Sequence, residues 1–94
     1  YLHNGSVPSM RALLASGQRP ERWRHRTDPR EYDPDAMGWA HDALSAEEAE
    51  AAGPEARRRI YDTTLHGYGN GGHTYSDHLD EDAREALLEY LKTL

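Results

Sequence analysis

The chain has 94 residues, of which 36% are hydrophobic, with no cysteine, no phenylalanine and a formal net charge of -6. This length allows one domain or a piece of one, and so thin a core usually needs a ligand or a partner surface. Without cysteine the chain has no disulfide, no Cys-type zinc or iron–sulfur site, and no covalent c-type haem attachment of its own. The acidic charge argues against nucleic acid as a partner, and no apolar run reaches membrane-spanning length.

The first predicted element is a short amphipathic helix that Ser9 caps and Gly17 ends. Residues 18–35 are polar and are predicted to be irregular. Their five arginines surround Trp23, a combination that suits phosphate or haem propionates but is commoner in a solvated loop held by one aromatic side chain.

Residues 45–57 are acidic and rich in alanine, and Ser45 with Glu48 fits a helix capping box. This helix has little to bury and Gly53-Pro54 interrupts it, so the stretch is predicted to be an exposed, mobile insertion. Residues 60–65 form a short run typical of a β-strand, too short to establish a sheet.

The last predicted element is a helix from about residue 80 to residue 93, with Asp80 as its N-cap. Its apolar residues recur at helical spacing, and the predicted inward stripe consists of Ala86, Leu87, Tyr90 and Leu91. Acidic residues such as Glu85 are predicted to face water.

Between the strand-like run and this helix, residues 66–75 hold four glycines, two histidines and two tyrosines. Gly71 and Gly72 precede His73, so the backbone there can approach a flat ligand without a Cβ in the way. One hypothesis is that His73 binds a metal, with haem iron favoured, and that Asp77 or a loop carbonyl accepts its other N–H. The alternative is a flexible surface loop with a solvated histidine.

Three segments of the chain resemble one protein family. Residues 1–14 resemble the Y-L-H-N-G-S-V-P-T-L-x-x-L-L signature of dihaem cytochrome c peroxidase-like proteins. Residues 30–39 are similar to the R-E-Y-D-P…V-G-[FY] block of the branch that includes the bacterial rubber oxygenases. Residues 61–94 are similar to that branch's closing pattern, F-D-T…G-N-x-x-G-H-x-[YF]-G…L-I-E-Y-L-K-T-L.

The resemblance implies a mainly α fold: a cytochrome c-like haem domain fragment with long irregular loops, spanning residues 1–94. It implies the C-terminal portion of a longer periplasmic or secreted protein that takes part in electron transfer or oxidoreductase chemistry. It also implies that His73 is an axial ligand of the iron of haem c. His3 and Asn4 would line the haem pocket, with Tyr68 and Tyr75 beside the macrocycle.

This sequence departs from the family pattern at several points. The family attaches haem through C-x-x-C-H, which this chain lacks, so the attachment site is expected in the rest of the parent haem protein or in another chain. Residue 76 is Ser where the pattern has Gly, and residues 45–57 have no counterpart. In the peroxidase branch a Met ligates iron, but the corresponding position here is Gly17.

Two other interpretations remain open. One is a non-haem zinc or copper site formed by His66, His73 and His78, although the spacing is loose and no carboxylate completes a known pattern. The other is a non-catalytic interaction segment that binds no metal. Within the haem interpretation, peroxidase, oxygenase and electron carrier all remain open, because no acid–base pair for peroxide chemistry is evident.

Overall fold

The computed structural model describes residues 1–26 and 28–94, except for the side chains of His3 and Pro29. The α-helices in these residues are α1 (Met10–Leu14), α2 (Ala46–Ala51), α3 (Pro54–Arg57) and α4 (Glu81–Leu91). The strands are β1 (Arg22–His25), β2 (Tyr32–Asp33), β3 (Gly38–Trp39), β4 (His41–Ala43) and β5 (Ile60–Asp62). Short 3-10 turns span His3–Gly5, Ser16–Gln18 and Pro29–Glu31.

The prediction of a mainly α fold is wrong. About 36% of the chain is helix and 16% is strand. Strands β4, β1 and β5 form an antiparallel sheet in that order, and β2 pairs with β3. Strand β1 lies in the stretch predicted to be irregular, where Trp23 is buried between the less buried Arg22 and Arg24. That alternation has the period of a strand, and pairing with distant segments supplies its hydrogen bonds.

The core lies where residues 1–8, β1, α1 and α4 meet. Its buried apolar residues are Val7, Ala12, Ala15, Trp23 and Leu88. Trp23 of β1 contacts both the N-terminal residues and β5. Its indole N–H donates to the carbonyl of Ser6 at 3.3 Å, and its ring stacks on Tyr61. On the other side, Arg11 of α1 forms an ion pair with Glu85 of α4.

The predicted helix caps are confirmed. The hydroxyl of Ser9 accepts from the backbone of α1 at 3.2 Å, and Ser45 and Glu48 form both hydrogen bonds of a capping box. Asp80 caps α4 through the N–H of Ala83 at 2.7 Å. Helix α1 nevertheless ends at Leu14, before Gly17, and α2 and α3 contain no buried residue.

The predicted inward stripe of α4 is wrong in part. Leu88 is 1% exposed and is the buried residue of this helix, whereas Tyr90 is 62% exposed. Ala86 is exposed as well, and Glu85, predicted to face water, is half-buried in its pair with Arg11. Helix α1 packs against the face that carries Glu85 and Leu88, which turns the apolar residues at 86, 90 and 94 outward. Within the described residues, no helix is long and apolar enough to cross a membrane.

Candidate functional site

The glycine loop, residues 66–75, runs from the end of β5 toward α4 along one side of the molecule. All of its residues are exposed except Asn70, which is half-buried. The side-chain amide of Asn70 donates to the carbonyl of Pro20 at 3.3 Å, so this residue holds the loop against the segment before β1.

The backbone of the glycine loop is held by one guanidinium. Arg19 donates to the carbonyls of Gly72 and His73, at 2.6 Å and 2.9 Å, and also to the carbonyl of Asn70. Hydrogen bonds from a charged donor are roughly twice as strong as neutral ones. These bonds attach the backbone of the loop to the protein at the carbonyls of Asn70, Gly72 and His73, while the side chain of His73 remains exposed.

A second anchor lies just after the glycine loop. Asp77 accepts from the backbone N–H of Ser16 at 2.9 Å and from the hydroxyl of the same residue, while the hydroxyl of Ser76 donates to the carbonyl of Leu14 at 2.8 Å. The bonds from Ser16 hold the pKa of the Asp77 carboxyl below its usual value, and the charges of Arg19 and Arg84 act in the same direction. Asp77 is thus bound to Ser16 and not to the ring of a histidine.

His73 occupies an unusual backbone position with an accessible side chain. Its φ is +54°, a left-handed conformation that costs a residue with a Cβ about 1–3 kcal/mol. Its ring is exposed, and the structure shows it no hydrogen-bond partner among the described residues. A Cβ added at Gly71 or Gly72 would meet no atom within 4 Å apart from those of the neighbouring residues, so both glycines border open space.

The two tyrosines of the glycine loop lie in different surroundings. Tyr75 is 82% exposed and meets His73 edge to face, with ring centroids 6.0 Å apart. Tyr68 packs edge to face on Tyr61 at 5.6 Å, and Tyr61 stacks on Trp23. Burial, followed by the nearby phenol of Tyr68, raises the pKa of Tyr61. Tyr68 therefore belongs to the edge of the core, and Tyr75 belongs to the open side of the loop.

The predicted pocket residues of the N-terminal motif are less well defined. Asn4 lies in the turn His3–Gly5 with a φ of +56° and is exposed. No hydrogen bond joins Asn4 to the glycine loop in the described part of the chain. The prediction for the side chain of His3 lies outside the described residues.

The three histidines proposed for a non-haem metal do not form a site. Among the side chains that the structure describes, which exclude those of His3, residue 27 and Pro29, no three His, Asp or Glu groups are placed so that they could hold a metal ion. His66 and His78 are both exposed. The loop thus carries two exposed imidazoles, those of His66 and His73, and neither belongs to such a group.

Sequence reasoning missed two features near the core. His25 and His41 face each other across β1 and β4, and both rings contact Trp23 edge to face. Burial, then the neighbouring His41, lowers the pKa of His25. The other missed feature is the role of Arg19 in holding the loop, since its sequence context is only that of one of five arginines around Trp23. The alternation of residues 22–25 was the available signal for β1, whereas nothing local marked Arg19.

The remaining arginines of the basic stretch are paired with carboxylates. Arg22 contacts Asp62 at 3.3 Å, and Arg24 and Arg26 both contact Asp42, at 3.6 and 3.0 Å. Arg30 contacts Asp28 at 2.9 Å. Each of these four arginines thus lies within ion-pair distance of a carboxylate.

Comparison with known sequences gives one family and two relatives. The profile of a family described as "RoxA-like, cytochrome c-like" matches residues 1–24. The chain is 38% identical over 105 residues to the uncharacterized protein y4iJ of Sinorhizobium fredii (strain NBRC 101917 / NGR234). It is 31% identical over 106 residues to the uncharacterized protein y4iM of the same strain.

These matches cover the chain and only part of the relatives. They include 100% and 99% of this chain, but the chain spans 15% of the length of y4iJ and 24% of that of y4iM. The family match shows a weak relation to cytochrome c-like proteins through the first 24 residues and does not distinguish a peroxidase branch.

Proposed function

We propose that this chain is a haem-binding segment of a c-type dihaem oxidoreductase or electron-transfer protein, and that His73 is an axial ligand of the haem iron. The observation that carries the proposal is the position of His73: a left-handed residue on a backbone held by Arg19, with an exposed ring that has no hydrogen-bond partner in the described part of the chain. Backbone strain of this kind persists where the surroundings enforce it, often at ligand sites. The cytochrome c-like match over residues 1–24 supports the coarser part of the proposal, haem binding.

The residues around His73 fit one face of a haem. Open space at Gly71 and Gly72 admits a flat macrocycle, and Tyr75 offers an exposed aromatic ring beside the imidazole. When bound, the iron supplies the redox change, and the identity and burial of its axial ligand adjust the potential.

This proposal assigns the other haem contacts to protein outside the chain. With no cysteine, the chain makes no thioether bond, so a C-x-x-C-H segment of the parent protein or of another chain attaches the haem. Residues 1–94 would then be the C-terminal portion of a cytochrome c-type domain, with residues 45–57 as an exposed insertion. Covalent haem attachment of this type implies a periplasmic or secreted location.

Optical spectra of the full-length protein test the proposal. We expect a Soret band that shifts in His73→Gly and stays unchanged in His66→Gly and His78→Gly, because the latter residues are also exposed histidines near the loop. A full-length protein without a Soret band, or a band that responds to neither His73→Gly nor the controls, would contradict it.

The second candidate is a non-catalytic interaction segment, and the outer face of α4 favours it. Ala86 is exposed and Tyr90, four residues later on the same face, is 62% exposed; Leu94, which follows the end of the helix, is 85% exposed. This candidate predicts that replacing Tyr90 and Leu94 by Ser weakens binding to the partner protein, while the optical spectrum is unaffected. The haem proposal instead predicts that the optical spectrum changes when His73 is replaced.

A further inference from the structure

Arg19 connects the C-terminal end of α1 to the glycine loop. Besides the loop carbonyls, it donates to two carbonyls of α1: its Nε to that of Ala12 at 3.3 Å and its Nη2 to that of Leu13 at 2.9 Å. The last carbonyls of a helix have no partner within the helix, and a cation at that end also interacts favourably with the helix dipole.

The hydrogen bonds of Arg19 use its full donor capacity. A guanidinium has five N–H groups in a planar fork. Here Nε has one acceptor, Nη1 has the carbonyls of Asn70 and Gly72, and Nη2 has those of Leu13 and His73. A lysine ammonium offers three donors from a single atom and cannot reach the same acceptors.

We infer that Arg19 is the positioning residue for His73: its guanidinium fixes the loop backbone on α1, so that the imidazole is presented from one fixed point of the chain. This inference rests on the proposed function. One of the bonds from Arg19 goes to the backbone carbonyl of His73 itself. It therefore acts on the residue that carries the ring, whose φ is +54°. Without that bond the strained conformation has less to hold it, and the backbone that carries the ring samples several positions.

The test compares Arg19→Lys with a matched control, Arg22→Lys, in the full-length protein. Arg22 is similarly enclosed, with a side chain 17% exposed, but it pairs with Glu21 and Asp62 and not with the loop. The first readout is chymotrypsin cleavage after Tyr75, divided by cleavage after Tyr90 of α4 so that global unfolding cancels. The second readout is the low-spin ferric EPR signal.

We expect the cleavage ratio of Arg19→Lys to rise about ten-fold or more, because each charged hydrogen bond lost contributes enough free energy for such a change. The low-spin signal should split or lose intensity to a high-spin species, and Arg22→Lys should match wild type in both readouts. An unchanged cleavage ratio overturns the inference. So does a raised ratio with an unchanged low-spin signal in a protein whose signal His73→Gly abolishes.

Failure of the proposed function gives a different pattern. If His73→Gly leaves the low-spin signal intact, His73 is not the ligand, and Arg19 has no role toward iron. The cleavage ratio then still decides whether Arg19 holds the loop. The two claims therefore fail on separate measurements.

Discussion

Ser16 donates both its backbone N–H, at 2.9 Å, and its hydroxyl to the carboxylate of Asp77, 61 residues later in the chain. These bonds join the turn after α1 to the segment that follows the glycine loop. The carboxylate accepts them best when it is ionised, and its pKa is correspondingly lowered.

This pair predicts an acid-sensitive loop. Since the pKa of Asp77 is below its ordinary value of about 3.9, its stabilising effect is fully present above that value and is lost as pH falls through the folded-state pKa. We expect cleavage of the loop beside its tyrosines, measured with an acid-stable protease, to increase below about pH 4. Asp77→Asn should raise cleavage at neutral pH and remove most of the pH dependence.

Asp82→Asn is the control for that prediction, because Asp82 lies exposed in the first turn of α4, away from Ser16. Its pH profile should follow wild type. A wild-type profile in Asp77→Asn would show that the Ser16 pair does not hold the segment.

The face of α4 can be tested by truncation. Leu88 is 1% exposed, so Leu88→Ala should lower the free energy of unfolding by about 2–5 kcal/mol. Tyr90 is 62% exposed, and Tyr90→Ala should change it by only about 0.5 kcal/mol. Urea unfolding measures both. Equal costs, or a larger cost at Tyr90, would mean that the helix is rotated or that another surface covers Tyr90.

An added methyl group is expected to destabilise the protein at one glycine and to have little effect at another. A Cβ at Gly38 would lie 2.4 Å from the carbonyl oxygen of Pro8, so Gly38→Ala should destabilise the protein by about 1–3 kcal/mol. Gly72→Ala meets open space and should leave the free energy of unfolding within about 0.5 kcal/mol of wild type.

The proposed haem face adds a second expectation for Gly72→Ala. If a macrocycle comes close to this backbone, the methyl group intrudes on it, and the Soret band of the full-length protein should shift or weaken while urea unfolding is unchanged. A wild-type Soret band would show that no flat ligand approaches the loop at Gly72.

The sequence was sufficient for features whose chemistry is local. Asp80 and Ser45 cap helices through hydrogen bonds to residues three positions later, so their roles follow from neighbouring residues alone. The strand at residues 60–62 was likewise visible as a β-like run. Strand β1 was not, because its pairing with β4 and β5 joins segments far apart in the chain, and its arginines resembled a solvated loop.

The sequence pointed to His73 as the candidate ligand, but it did not reveal that Arg19 holds the loop. His73 was identified from the glycines before it and from the family resemblance, and its assignment as a ligand remains a prediction. Arg19 was missed because its acceptors in the loop lie 51 to 54 residues away, and backbone carbonyls carry no sequence signal. The face of α4 was misjudged for a related reason: the ion pair between Arg11 and Glu85 spans 74 residues.

Ligand replacement at His73 tests the central claim most directly. In the full-length protein, His73→Gly should lose the six-coordinate low-spin ferric EPR signal, because glycine has no ligating atom, and added imidazole should restore it by filling the vacated space. His66→Gly should keep the wild-type signal without imidazole. A low-spin signal that persists in His73→Gly, and disappears instead in His66→Gly or His78→Gly, would contradict the assignment of His73 as the iron ligand.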